Sequence, residues 1–91
     1  MILLIAVISI SPIVAISSVH NISIQGFSFT PVGIVINQGD SVRWTNNDAV
    51  LHTSTNDQGV WNSGDLATGQ SFLWPFDSIG AFAYHCIHHL T

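Results

Sequence analysis

From His20 onward the apolar residues of this chain alternate with polar ones in short runs, each ended by Gly, Asn, Asp or Pro, and no stretch repeats with helical spacing. Successive side chains of a strand point to opposite faces, so the pattern predicts half-buried strands joined by turns. Ile22 and Ile24 share one face, and a bulge at Gly26 would let Phe27 and Phe29 continue the alternation on the other parity. Ile34 and Ile36 follow Pro31, and the Gln38-Gly39-Asp40 turn leads into Val42 and Trp44, with Arg43 facing away. Asn46-Asn47-Asp48 turns the chain again. Residues 53–70 are polar, with Val60 and Trp61 as apolar anchors, after which Phe72, Trp74 and Phe76 alternate. Gly80 opens a last strand with Phe82, Tyr84 and Cys86 on one face and Ala81, Ala83 and His85 on the other. These strands predict an all-β domain, a small antiparallel sandwich over residues 18–91 with the Trp and Phe residues in its core.

Charge narrows the function. Among 91 residues the only cation of the Lys/Arg type is Arg43, set against Asp40, Asp48, Asp57, Asp65 and Asp77, for a net charge of -4. One guanidinium cannot neutralise a run of phosphates, which excludes electrostatic binding of nucleic acid and of anionic lipid. Any protein partner is expected to be neutral or basic.

The sandwich is preceded by an apolar segment, MILLIAVISISPIVAISSV, which carries no charge. It reads as a signal peptide or membrane anchor over residues 1–17. Pro12 interrupts any spanning helix, and the small residues of Ala15-Ile16-Ser17 offer a cleavage site that would start the mature chain near Ser18. Either reading exports the domain to a periplasmic or extracellular face, with membrane contact only if the segment is kept as an anchor; the remaining alternative is a buried strand of the domain itself.

Export makes the lone Cys86 conspicuous, because an oxidising compartment pairs cysteines and this one has no partner in the chain. Coordination to a metal would protect it. Strand alternation aims its thiol towards the core at the strand's very end, and His89 follows with C-x-x-H spacing, while the neighbouring His88 offers a C-x-H alternative. A third donor has to come from elsewhere. His52 lies among apolar neighbours after the Asn46-Asn47-Asp48 turn, whereas His20 sits near the start of the domain and His85 has the opposite parity to Cys86. One thiolate with two imidazoles suits a trigonal copper site. Zinc accepts the same atoms, but a structural zinc site takes four protein ligands, and a catalytic one needs acid–base help that a chain without Glu supplies poorly.

The series Gly39-Asp40-Ser41-Val42-Arg43-Trp44-Thr45-Asn46 leading to His52, then Asn62-Ser63-Gly64, Gly69-Gln70-Ser71-Phe72 and Gly80 to His89 with Tyr84-His85-Cys86, resembles a plastocyanin- or amicyanin-like cupredoxin, a type 1 blue copper protein. The resemblance implies a Greek-key β-sandwich holding one type 1 copper ion through His52, Cys86 and His89. It implies an electron carrier rather than an enzyme, shuttling single electrons between exported redox partner proteins, with His89, Ile87 and Leu90 forming the electron port. The family's axial Met would fall just past Thr91, so by this resemblance the domain looks cut short before the axial ligand and the last strand. The backbone carbonyl of Leu51 is then the candidate for a weak axial contact. The alternatives are a module that stores copper or zinc without redox turnover, or a fragment of a larger copper enzyme. Against the enzyme, Ile87 follows Cys86 where a multicopper oxidase has a second bridging histidine, and a binuclear copper centre needs two cysteines.

Overall fold

A computed structural model describes residues 3–8 and 17–89. The strands are β1 (Leu3–Ile8), β2 (Val19–Gln25), β3 (Ser28–Thr30), β4 (Ile34–Asn37), β5 (Ser41–Asn46), β6 (Thr55–Asn56), β7 (Ser71–Pro75) and β8 (Gly80–His85), with no helix among the described residues. They form two four-stranded sheets, one in the order β4-β1-β8-β6 and the other β3-β2-β5-β7. The all-β sandwich expected from the alternation is present, but its sheets are mixed, because β1 runs parallel to β4 and β2 parallel to β5. Parallel neighbours need a crossover, and here β2 and β5 are joined through β3 and β4, so the chain passes between sheets.

The expected inward faces are the observed ones. Ile22, Ile24, Phe29, Ile36, Val42, Trp44 and Tyr84 are buried, with Phe72, Trp74 and Phe82 packed against them. Trp44 is central, its ring 5.5 Å from both Trp61 and Tyr84. Of the two loop anchors, Trp61 is buried and Val60 is exposed, while Leu66 joins the core in its place.

One expectation changes at the first turn. No bulge interrupts the first run: β2 and β3 form a hairpin in which Gln25 pairs with Ser28, leaving Gly26 and Phe27 as a two-residue loop. Both loop residues are left-handed, at φ 61° and 57°, as the tightest hairpin turn compatible with strand twist requires. Phe27 therefore leaves the core, in contrast to Phe29, and is 55% exposed.

Of residues 1–17, read above as a signal peptide or anchor, 1–2 and 9–16 lie outside the described residues. Leu3–Ile8 lies inside the sandwich as β1, paired with β4 on one side and β8 on the other. Its Leu3, Ile5 and Val7 are buried while Leu4 and Ile8 are exposed. An unbroken apolar run hides this period of two, because a strand with apolar residues on both faces has the composition of a leader.

Asp40 is the buried carboxylate of the fold. Its Oδ1 accepts from Ser18 N–H at 2.9 Å, and its Oδ2 accepts from Asn37 N–H at 3.2 Å and meets His20 Nε2 at 2.8 Å. Burial pushes its pKa up, but the hydrogen bonds from His20, Ser18 and Asn37 outweigh this and hold it below its ordinary value of 3.8. A depressed carboxyl contributes stability that is complete above the unfolded pKa and is lost as pH falls through the folded one.

Two outcomes are expected. Asp40→Asn should cost about 1–3 kcal/mol at neutral pH and flatten the decline of stability below about pH 4, read from urea melts across pH. A chain starting at Ser18 loses three buried side chains, each worth about 1.5–3 kcal/mol, against a total of about 5–15 kcal/mol for a typical domain. Its thermal melt by circular dichroism should be lost or displaced far downward, and a midpoint equal to that of the full chain would show that β1 is dispensable.

Candidate metal centre

The site forms where β8 runs out. Cys86 directly follows β8, and its side chain, 2% exposed, keeps the inward parity of Tyr84. The chain then turns: His89 N–H donates to the Cys86 carbonyl at 3.3 Å, which swings the His89 ring back over the thiol. The facing wall is the segment from Leu51 to Thr55. His52, 1% exposed, exchanges two backbone hydrogen bonds with Leu66, at 3.2 and 2.8 Å, and so is pinned against the long loop. Thr53 ties the two walls together, since its N–H donates to Cys86 Sγ at 3.3 Å and its Oγ1 accepts from Ile87 N–H at 3.0 Å.

A buried asparagine shapes the approach to His52. Asn46 ends β5, and its Nδ2 donates to the carbonyls of Val50 at 2.8 Å and Leu66 at 2.7 Å, while its Oδ1 accepts from Asp48 N–H at 2.8 Å. Every polar atom of this fully buried side chain is thus used to hold the turn before His52.

His52, Cys86 and His89 bring their donor atoms within 4.8 Å of one another, the one such group of three among the described residues. Cys86 Sγ and His52 Nδ1 are 3.6 Å apart. Donors about 2.3 Å and 2.0 Å from a shared ion at trigonal angles lie about 3.7 Å apart, so this spacing fits a bound ion. His52 Nε2 bonds Asp48 Oδ2 at 2.8 Å, which leaves Nδ1 as the nitrogen facing the thiol. Hydrogen bonds from Phe27 and Gly26 N–H and from His52 hold the Asp48 carboxyl below its ordinary value despite some desolvation.

Of the two histidines after Cys86, His89 enters the cluster, whereas His88 turns outward to Asp65. His85 pairs with Asp57 and His20 with Asp40, both away from the thiol. Ile87 is exposed beside the cluster, and Leu90 lies outside the described residues. Two residues of the site escape sequence reasoning. Phe27, expected in the core, sets its ring edge-on to His52 at 5.5 Å and to His89 at 4.8 Å. Asp48, expected as a turn residue, bonds His52. Neither has a local signal, because the hairpin tip bearing Phe27 meets the loop only through the pairing of β2 with β5.

A two-sheet sandwich that sets one buried thiol between two imidazoles at its loop end is the arrangement of the cupredoxins, and the chain is a cupredoxin-like protein. No family model matches it. Over 72 residues it is 32% identical to the chloroplastic plastocyanin of Tetradesmus obliquus, an alignment that takes in 67% of this chain and 50% of that one. The chain therefore spans about half the length of that curated relative. Among solved structures it is similar to a purple cupredoxin from Nitrosopumilus maritimus, with 28% identity, a TM-score of 0.70, and coverage of 77% of this chain and 88% of the other. It shares its fold with a Cu(I) form of an amicyanin mutant at a TM-score of 0.73, 22% identity, and coverage of 78% and 72%.

Removing the brace behind His52 should be felt at the site. Asn46→Ala leaves the Val50 carbonyl and the Asp48 N–H without this partner and the Leu66 carbonyl with only the His52 N–H, at an expected cost of about 1–3 kcal/mol in denaturant melts. Metal affinity measured by competition with a chelator should fall with it.

Proposed function

We propose that this protein is an electron carrier that holds one type 1 copper ion through His52, Cys86 and His89 and passes single electrons between redox partner proteins. The observation that carries the reading is the convergence of one buried thiol and two imidazoles within 4.8 Å at the end of a rigid sandwich. Bound copper would supply a Cu(I)/Cu(II) couple, since thiolate suits the reduced ion and imidazole the oxidised one. The chain's own residues keep the site from rearranging between the two states. Thr53 N–H, donated to Sγ, stabilises charge on the sulfur, and the surrounding aromatic and aliphatic side chains exclude water. The carbonyl of Leu51 is proposed as a weak axial donor. Structural zinc asks for a fourth protein ligand, and Asp48, the nearby carboxylate, is already engaged by His52 and two backbone amides.

His89, half-buried at the rim, is proposed as the electron port, with Ile87 and Leu90 forming the apolar contact around it and Phe27 added to that face by its contact with His89. A chain with a single Lys/Arg-type cation and net charge -4 would be approached by neutral or basic partners. Carrier rather than enzyme is favoured by Ile87, which stands where an oxidase domain has a bridging histidine. The proposed location is an exported one, on a periplasmic or extracellular face. N-terminal sequencing of the exported protein tests this: a start near Ser18 shows a cleaved leader, and retention of Leu3–Ile8 shows that β1 stays with the domain.

Copper(II) added to the full chain should produce an intense visible thiolate-to-copper band that ascorbate bleaches and air or ferricyanide restores. Cys86→Ser should abolish band and electron transfer together. Tight copper or zinc binding without reversible one-electron cycling would favour a storage module instead, and a coloured redox site in Cys86→Ser would remove the assignment.

A further inference from the structure

One carboxylate does two things at once in this protein. Asp48 Oδ2 meets His52 Nε2 at 2.8 Å, on the far side of the imidazole from Cys86. The same side chain caps the hairpin tip, with Oδ1 accepting from Gly26 N–H at 2.7 Å and Oδ2 from Phe27 N–H at 2.9 Å. Those two amides point the same way because both residues are left-handed, at φ 61° and 57°. For Gly26 that conformation is free of strain, whereas for Phe27 it is unfavourable and has to be held from outside. The ring it holds in place spans the site, with its edge on His52 and on His89.

We infer that Asp48 is a positioning residue that couples the proposed copper ligand His52 to the Phe27 turn, so that the state of the metal site and the shape of the contact face around His89 depend on each other. The inference rests on the copper reading above. Its chemistry is that of three donors, two amides and an imidazole N–H, meeting one ionised carboxylate. Only a carboxylate presents acceptors on both oxygens, and an amide in its place turns one acceptor into a donor. An imidazole hydrogen-bonded to a carboxylate is a stronger donor to a metal, and more so to the doubly charged ion than to the singly charged one. In the other direction, drawing the His52 N–H more firmly onto Oδ2 orders the carboxylate and with it the two amides it caps.

The test uses the full chain, wild type and Asp48→Asn, with Cu(I) and Cu(II) as probes. In the wild type, Cu(I) should slow hydrogen exchange at the Gly26 and Phe27 amides and move their resonances along with those of His52. In Asp48→Asn, Cu(I) should still bind, but the response at Gly26 and Phe27 should vanish. Affinity for Cu(II) should fall by about 10- to 100-fold, and that for Cu(I) by less. Each tenfold of that difference raises the one-electron potential by about 59 mV. Asp48→Glu, which restores two acceptor oxygens and the charge, should recover part of the shift. An unchanged potential in Asp48→Asn, or Gly26 and Phe27 amides indifferent to Cu(I) in the wild type, overturns the coupling. The wild-type exchange comparison decides the matter alone if the Asn variant does not fold. Absence of any Cu(I) response at His52, Cys86 and His89 in the wild type is a different failure, that of the copper reading itself.

Discussion

Thr53 N–H against Cys86 Sγ, at 3.3 Å, is the contact on which the site depends. A thiol at the end of an inward-facing strand would otherwise be one more small apolar group in the core. The amide that meets it belongs to the residue next to His52, so a single hydrogen bond sets the height of the His52 wall relative to the β8 wall. The Ile87 N–H bond to Thr53 Oγ1 fixes the same two segments a second time, 3.0 Å apart, just past the thiol. Because the donors are held by backbone atoms of two walls rather than by long flexible side chains, their spacing is a property of the sandwich. A spacing fixed in this way does not depend on the rotamers of long side chains.

The loops that reach this end bury a set of polar side chains. Asn46, Asn56, His52, Thr53 and Ser54 are all buried, and each has hydrogen-bond partners. Ser54 is representative: its N–H donates to Ser63 Oγ, its carbonyl accepts from Ser63 N–H, and its Oγ accepts from Trp61 Nε1. An unpaired buried polar group is costly, so a network of this kind has few alternative arrangements. The long stretch between β5 and β7 holds little regular structure beyond β6, yet these bonds fix it in place and with it the position of His52.

Sheet order explains why distant residues share the site. Pairing β2 with β5 sets the β2–β3 hairpin tip beside the turn that follows β5, since Ile24 lies opposite Asn46. Phe27 and Asp48 thereby meet, although they are far apart in sequence and lie on different turns. In the other sheet, β1 separates β4 from β8, so the strand that presents Cys86 has neighbours on both sides, β1 and β6. A paired strand does not fray at its end, and the thiol is placed by that end.

Alternation by itself determined much of this protein: which faces of β2, β4, β5, β7 and β8 turn inward, that the architecture is all-β, and that Cys86 ends a strand on its buried side. Those features were legible because a period of two is local chemistry, readable from neighbours along the chain. The grouping of Cys86 with His89 was legible in the same way, through a short spacing, and the place of His52 came through likeness to a known series of residues. Only the tertiary structure decided that Phe27 leaves the core, because a two-residue hairpin and a bulge share one sequence pattern. The turn closed on the Cys86 carbonyl and the bond of His88 to Asp65, which put His89 beside the thiol and His88 outside it, are likewise tertiary contacts. The place of Leu3–Ile8 as a paired strand was hidden because apolar residues on both faces erase the alternation. Asp48 became a partner of His52 and of the hairpin tip through strand pairing, a long-range contact that no local pattern encodes.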